Sequence, residues 1–193
     1  MPRGPLIILS GPSGSGKSTV IKRLLADPPG PLRLSVSATT RPPRPDEREG
    51  VDYYFRTREE FEKKLAAGEF LEHAVVHGAD YYGTLWAEVE PHLAAGRGVI
   101  LDIDVQGAEQ VRKQCPEQTS IFLHTPLEEL ERRLRRRGTE DEPTIRRRLE
   151  SARRELARAG EFHYQIINQD LDQATADLRA IVAGLFARAR DAG

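Results

Sequence analysis

An α/β fold is what the sequence predicts, on three observations. An apolar run, Leu6-Ile-Ile-Leu9, breaks into Gly11-x-x-x-x-Gly16-Lys17-Ser18 and passes at once into the helical pattern Thr19-Val-Ile-Lys-Arg-Leu-Leu25. Gly98-Val-Ile-Leu-Asp-Ile-Asp104 is nearly continuous in apolar character, as a strand buried on both faces must be, and ends in carboxylates. From there a strand–helix rhythm runs to the end of the sequence. At 193 residues the chain suits one α/β unit with insertions, large enough for a real core and cramped for two equal domains.

The glycine-rich turn has a chemistry of its own. Glycines let the backbone curl with its N–H groups inward around a phosphate, at points where a Cβ would obstruct the contact. Lys17 adds a charge for the β/γ-phosphates and Ser18 a hydroxyl for Mg²⁺, while the helix that begins near Gly16 aims its unpaired N–H groups at the same place. Gly11, Pro12, Ser13, Gly14, Ser15, Gly16, Lys17 and Ser18 are therefore the expected triphosphate-binding loop.

The remaining elements follow in order. Asp27-Pro-Pro-Gly-Pro31 breaks the first helix, and Arg33-Leu-Ser-Val-Ser37 reads as a second short strand. The proline-rich stretch 40–50 excludes helix and central strand, so it is an ordered loop carrying Arg41 and Arg44. Asp52-Tyr-Tyr-Phe55 is strand-like, Thr57-Arg-Glu-Glu60 is a capping box opening a helix that stops at Gly68, and Glu69-Phe-Leu-Glu-His-Ala-Val-Val76 returns to strand. Tyr81-Tyr-Gly-Thr84 leads into another helix, which makes 37–84 a small mixed α+β insertion. After the strand 98–104, on which Asp102 and Asp104 point the same way, come a helix over 105–114 and a strand over 119–123. Thr125-Pro126 reads as a cap with proline at the first helical position. The helix it opens runs to Arg137, residues 138–143 break it, and a second arginine-rich helix reaches Ala159. A strand over 165–168 and a terminal helix over 171–190 complete the order.

Composition narrows the class. Hydrophobic residues make up 38% and charged residues 31%, and no apolar run approaches the ~20 residues of a membrane span. The short run 6–9 is no secretory leader, and one cysteine, Cys115, excludes an internal disulfide; both fit the cytoplasm. A net charge of −1 argues against a general nucleic-acid binder. Most arginines between 132 and 158 read as a solvated helix face, interleaved as they are with Glu140, Asp141, Glu142, Glu150 and Glu155. His73 and His77 lack a third ligand at metal-binding spacing.

The loop 11–18 does not stand alone. With Ser35-Val-Ser-Ala-Thr-Thr-Arg-Pro-Pro-Arg44, Phe70-Leu-Glu-His-Ala74, Tyr81-Tyr-Gly-Thr84, Ile100-Leu-Asp-Ile-Asp-Val-Gln-Gly107 and Arg135-Arg-Arg-Gly-Thr139, the chain resembles guanylate kinases from its first strand to Asn168. The resemblance implies a P-loop kinase core with a five-stranded parallel sheet flanked by helices (1–36, 85–124 and 160–193), a nucleoside-monophosphate-binding insertion (37–84) and a helical lid (125–159). It implies transfer of a phosphoryl group from ATP to GMP with Mg²⁺, and leaves the use of dGMP and the oligomeric state open.

Carried over by position, Arg41, Arg44, Tyr53 and Tyr82 would hold the GMP phosphate. Guanidinium forks and phenol hydroxyls suit a dianion. Ser37, Glu72, Thr84 and Asp104 would face guanine, whose adjacent N1–H and exocyclic amine can both donate to one carboxylate such as Glu72. Asp102 would orient Mg²⁺ or its waters. Arg133, Arg137 and Arg148 match arginines that approach the triphosphate on lid closure, and Asn168 would seat the adenosine end. His77-Gly-Ala-Asp-Tyr-Tyr82 is one residue longer than the family's turn, so the choice between Tyr81 and Tyr82 for the phosphate falls on Tyr82. Gln169 stands where the family commonly has an acid.

Three other readings compete. A peptide-binding module on this scaffold is opposed by the intact Gly16-Lys17-Ser18. A ribose 1,5-bisphosphate kinase is opposed by Ser37, Glu72 and Asp104, and nucleic-acid binding by the absence of aromatics beside the arginine-rich helices.

Overall fold

The computed structural model describes residues 2–76, 80–137 and 141–191. Five parallel strands form its central sheet in the order β2 (Leu32–Leu34), β7 (Gly98–Asp102), β1 (Leu6–Ser10), β8 (Thr119–His124) and β9 (Tyr164–Ile167). β1 is buried along its whole length because side chains alternate between two covered faces. Leu6 and Ile8 join Val99, Leu101 and Phe122 on the face covered by α3 (Trp86–Ala94) and α4 (Val105–Gln114). Ile7 and Leu9 join Ile100, Ile121 and Leu123 on the other, under α1 (Lys17–Ala26) and α7 (Leu171–Asp191). Helices on both faces of a parallel sheet leave the carboxyl ends of the strands open, and ligands bind there.

A second, four-stranded mixed sheet stands apart from the first. Its order is β4 (Tyr54–Phe55), β3 (Ala38–Thr39), β6 (Asp80–Leu85), β5 (Phe70–Val76). Phe61, on α2 (Arg58–Ala66), stacks on Phe70 with centroids 4.2 Å apart and closes a small core with Ala38 and Leu85. The capping box at Thr57 forms as its residues require: the Thr57 hydroxyl accepts from Glu60 N–H at 3.1 Å, and the Glu60 carboxylate accepts from Thr57 N–H at 2.8 Å. Two further helices, α5 (Leu127–Arg137) and α6 (Glu142–Leu156), pack on each other through Leu130, Leu134, Ile145, Leu149 and Ala152.

Several boundaries differ from the sequence reading. The strand expected over 33–37 ends at Leu34; Ser35 N–H still bonds Ile100 O at 2.9 Å, and the chain then crosses to the second sheet. The strand expected to reach Asp104 ends at Asp102, because Asp104 serves as N-cap of α4 and its Oδ1 accepts from the Gln106 and Gly107 N–H groups. The helix expected to follow a Thr125 cap starts at Leu127, and the buried Thr125 hydroxyl donates to Asn168 O at 3.0 Å. Pro143 lies in the first turn of α6, where its missing N–H is harmless, and Asp141 is the cap. α6 stops at Leu156, and residues 159–161 form a separate 3-10 turn. Residues 77–79 and 138–140, which hold His77 of the rejected metal pair, the extra residue of the long turn and the break at Gly138, lie outside the described residues.

Candidate active site

Residues 11–18 link the carboxyl end of β1 to α1, and their glycines are required mainly by the protein itself. Gly11 has φ 139°, and a Cβ there would lie 1.9 Å from Leu123 O on the neighbouring strand. Gly16, the N-cap of α1, has φ 96°, and its Cβ would lie 2.3 Å from Asn168 Nδ2. The glycines thus draw the loop tightly against β8 and β9, which leaves its open side to the cleft and points the positive end of α1 into it.

That cleft, about 460 Å³, is lined by Gly11, Gly16, Lys17 and Ser18 from the loop, with Asp102 and Asp104 opposite. Lys17 Nζ donates to Gly11 O at 2.6 Å and lies 4.0 Å from Asp102. Burial pushes the Asp102 carboxyl up, and the nearby ammonium only partly offsets it. Glu155, from α6, also lines the cleft and is likewise pushed up by burial against the pull of Lys17. The sequence reading had left Glu155 on a solvated face.

Asp104 leads toward a second set of residues. The Gly107 N–H that it caps belongs to the turn on which the Glu72 carboxylate rests: a Cβ on Gly107 would lie 2.8 Å from Glu72 Oε2. Glu72 is buried on β5, and its Oε1 accepts from the hydroxyl of buried Thr84, on β6, at 2.7 Å. Burial raises its pKa to about 7; the Thr84 bond opposes this, and the negative charge of Asp104 adds to it. A carboxylate poised at neutrality, with its protein donors drawn from Thr84, is suited to a ligand that brings more donors. Ser37 is half-buried, and its carbonyl accepts from Tyr54 N–H at 2.9 Å.

Along the same sheet Arg41, Tyr53 and Tyr82 converge. Arg41 Nε donates to Tyr82 Oη at 3.1 Å, and its guanidinium carbon lies 5.4 Å from the Tyr53 ring centre, within cation–π range. Both terminal nitrogens of Arg41 donate to Glu47, at 2.8 and 2.9 Å, and Glu47 also accepts from Arg44 N–H. This pair holds the Glu47 carboxyl below the usual carboxylate range and the guanidinium above its own. Arg44 itself is exposed, its side chain 4.0 Å from Glu47. Of the two candidate tyrosines, Tyr82 meets Arg41, whereas Tyr81 packs on Phe61 and Arg58 beside α2.

The comparisons decide the family. The family model described as Guanylate kinase matches residues 3–184. The chain belongs to the guanylate kinase family. Guanylate kinase of Bifidobacterium longum is 52% identical over 185 residues, covering 93% of this chain and 94% of that protein. That of Synechococcus sp. is 51% identical over 181 residues, 93% of this chain and 82% of its own. The crystal structure of guanylate kinase from Anaplasma phagocytophilum superposes with a TM-score of 0.76 at 34% identity, covering 95% of this chain and 86% of that one. The activity is the family's, ATP-dependent phosphorylation of GMP, with ATP and GMP as substrates.

In this guanylate kinase a second cavity, about 350 Å³, opens on the far side of the loop between α5 and the β9–α7 junction. Arg133, Arg136, Asn168 and Gln169 line it. Asn168 is buried; its Nδ2 donates to Ser15 O at 2.7 Å, and its carbonyl accepts from Arg133 at 3.0 Å. The amide therefore braces the loop. Arg148 lies half-buried on α6, seven residues before Glu155 and so on the same helix face, about 10 Å along the axis. Arg137 is the last residue of α5, and its side chain lies outside the described residues. Among the described residues no helix is long and apolar enough to cross a membrane.

The sequence reading overlooked Glu47, Arg136 and the place of half-buried Glu155 in the lining of the cleft. Only Glu47 left a signal, as an acid three residues after Arg44 in a rigid loop.

Proposed function

We propose that the cleft transfers the γ-phosphoryl group of ATP in line to GMP held on the four-stranded sheet, with a three-part division of labour: core (1–36, 85–124, 160–193), GMP-binding unit (37–84) and lid (125–159). The observation that carries this reading is Asp104, which borders the Lys17 cleft on one side and the buried Glu72–Thr84 pair on the other. Donor and acceptor subsites are then neighbours on one helix N-terminus.

Lys17 and the backbone N–H groups of residues 13–18 hold the β/γ-phosphates. Arg41, Arg44, Tyr53 and Tyr82 hold the GMP phosphate, and Ser37, Glu72, Thr84 and Asp104 hold guanine. Arg133, Arg137 and Arg148 approach the triphosphate as the lid closes and water is excluded. Asn168 keeps the loop shaped for the adenosine end. Ser18 and Asp102, two oxygen donors lining one cleft, fit a hard cation that keeps waters and shares phosphate oxygens. Mg²⁺ bound there would neutralise the developing phosphate charge. No general base is needed, because the acceptor phosphate, with a second pKa of ~6, is largely ionised at neutral pH. No residue assigned to GMP is assigned to its 2′-hydroxyl, so dGMP is a second acceptor to test. Buried, unpaired Cys115 and the net charge of −1 accord with a cytoplasmic enzyme that does not bind nucleic acid.

Arg41→Ala tests the acceptor subsite. KM for GMP is expected to rise by about 30-fold or more, with KM for ATP unchanged. Steady-state kinetics read both; a rise shared equally by the two substrates counts against the assignment.

A further inference from the structure

One buried carboxylate ties the two sheets together and is not used by the chemistry above. Glu88, in the first turn of α3, is 6% exposed. Its Oε1 accepts from the Arg33 guanidinium and from Val36 N–H at 3.1 Å, and its Oε2 accepts from the Tyr54 hydroxyl at 2.9 Å. Arg33 belongs to β2 of the central sheet, Tyr54 to β4 of the second, and Val36 to the connection between them. Arg33 also reaches His92 Nε2, one turn further along α3, so both of its terminal nitrogens are engaged. Strand, connection and second sheet are thus gathered on a single side chain whose partners lie 34 to 55 residues away in sequence.

We propose that Glu88 is a positioning residue for GMP: it sets the angle at which the four-stranded sheet presents its phosphate-binding groups to the core. Two short routes carry its effect. Val36 adjoins Ser37, whose carbonyl bonds Tyr54 N–H, and the chain beyond it passes through β3 to Arg41. Tyr54 adjoins Tyr53, whose ring sits 5.8 Å from that of Tyr82 and within reach of Arg41. Releasing either tether frees Arg41, Tyr53 and Tyr82, three of the four groups that the preceding section assigns to the acceptor phosphate. Misplacement by about 1 Å is enough to depress activity by ~10²-fold, so a loosened angle is visible kinetically even when the fold is intact. The inference rests on that acceptor-site assignment.

Glu88→Ala would leave the half-buried Arg33 guanidinium and the Tyr54 hydroxyl without their acceptor and endanger folding. The test therefore uses Glu88→Gln and Tyr54→Phe, which keep shape, with urea midpoints to verify folding. Expected are a rise in KM for GMP of about tenfold for Glu88→Gln and about threefold for Tyr54→Phe, an unchanged KM for ATP, and a double variant no worse than Glu88→Gln alone. A KM for GMP within twofold of the parent in the folded variants, or an equal rise for ATP, overturns the proposal. Glu72→Gln, assayed in parallel, separates the two levels. If it loses preference for GMP while Glu88→Gln leaves KM unmoved, only the role of Glu88 falls. If Glu72→Gln keeps its preference, the acceptor-site assignment falls and takes this inference with it.

Discussion

Lys17→Ala lowers turnover by about 10²–10³-fold while leaving GMP affinity within a factor of two of the parent. The reaction brings two highly charged phosphates into line, so its barrier is chiefly electrostatic, and a charge that follows the moving phosphoryl group acts on kcat. The ammonium is held by the loop: it donates to Gly11 O at 2.6 Å and Pro12 O at 3.4 Å, and faces Asp102. Removing it leaves two loop carbonyls that can find water in an open cleft, so the fold tolerates the change. Pre-steady-state ADP formation together with equilibrium GMP binding reads both effects. A variant that lost GMP binding in proportion to turnover would move Lys17 from the donor subsite to the acceptor.

Glu72→Gln erodes the preference for GMP over AMP by about 10²-fold or more, because a buried amide offers guanine's paired N1–H and amine one acceptor and one misplaced donor. The same amide suits the donor–acceptor edge of adenine, so part of the change appears as a gain with AMP. The charge state of Glu72 adds a second signature. Burial lifts its folded pKa to about 7, whereas an unfolded glutamate titrates near ~4.3. Between those values the folded state holds the extra proton. This contribution to stability is therefore complete below ~4.3 and is lost as pH rises to about 7, after which it is flat. The urea midpoint of the parent should carry that downward component and the Gln variant should lack it. GMP, whose donors favour the carboxylate, should displace the proton on binding below pH 7. Titration calorimetry in buffers of different ionisation enthalpy reads that proton as a difference between parent and variant, which cancels the titration of the GMP phosphate itself. Equal proton release in both would remove Glu72 from the guanine site.

What could be read from the residues alone depended on how local each feature is. The loop 11–18 is contiguous, and its glycines, lysine and serine carry their meaning within eight positions. The capping box at Thr57 and the buried strand at Gly98 are local in the same way. Asp102-Ile-Asp104 shows the limit: period-two alternation and a strand followed by an N-cap are written with the same three letters, and only the bonds to Gln106 and Gly107 separate them. The pairing of Glu72 with Thr84 was legible only through resemblance to a family, since a glutamate in a strand otherwise reads as a surface residue. Glu88 and Glu155 escaped for a shared reason. A carboxylate's role depends on what surrounds it, and the donors to Glu88 or the place of Glu155 in the lining of the Lys17 cleft arise from chain crossings that no spacing rule encodes. In the second sheet β3 was missed because two residues are too short to show a period.

The measurement that tests the central claim most directly is release of ADP from ATP by the purified chain, offered GMP, AMP, CMP and UMP in turn with Mg²⁺ present. The account predicts rapid release with GMP and at most a trace with the other three. Release with none of them would favour a binding module on a kinase scaffold, and equal release with AMP would contradict the buried Glu72–Thr84 pair as the reader of guanine.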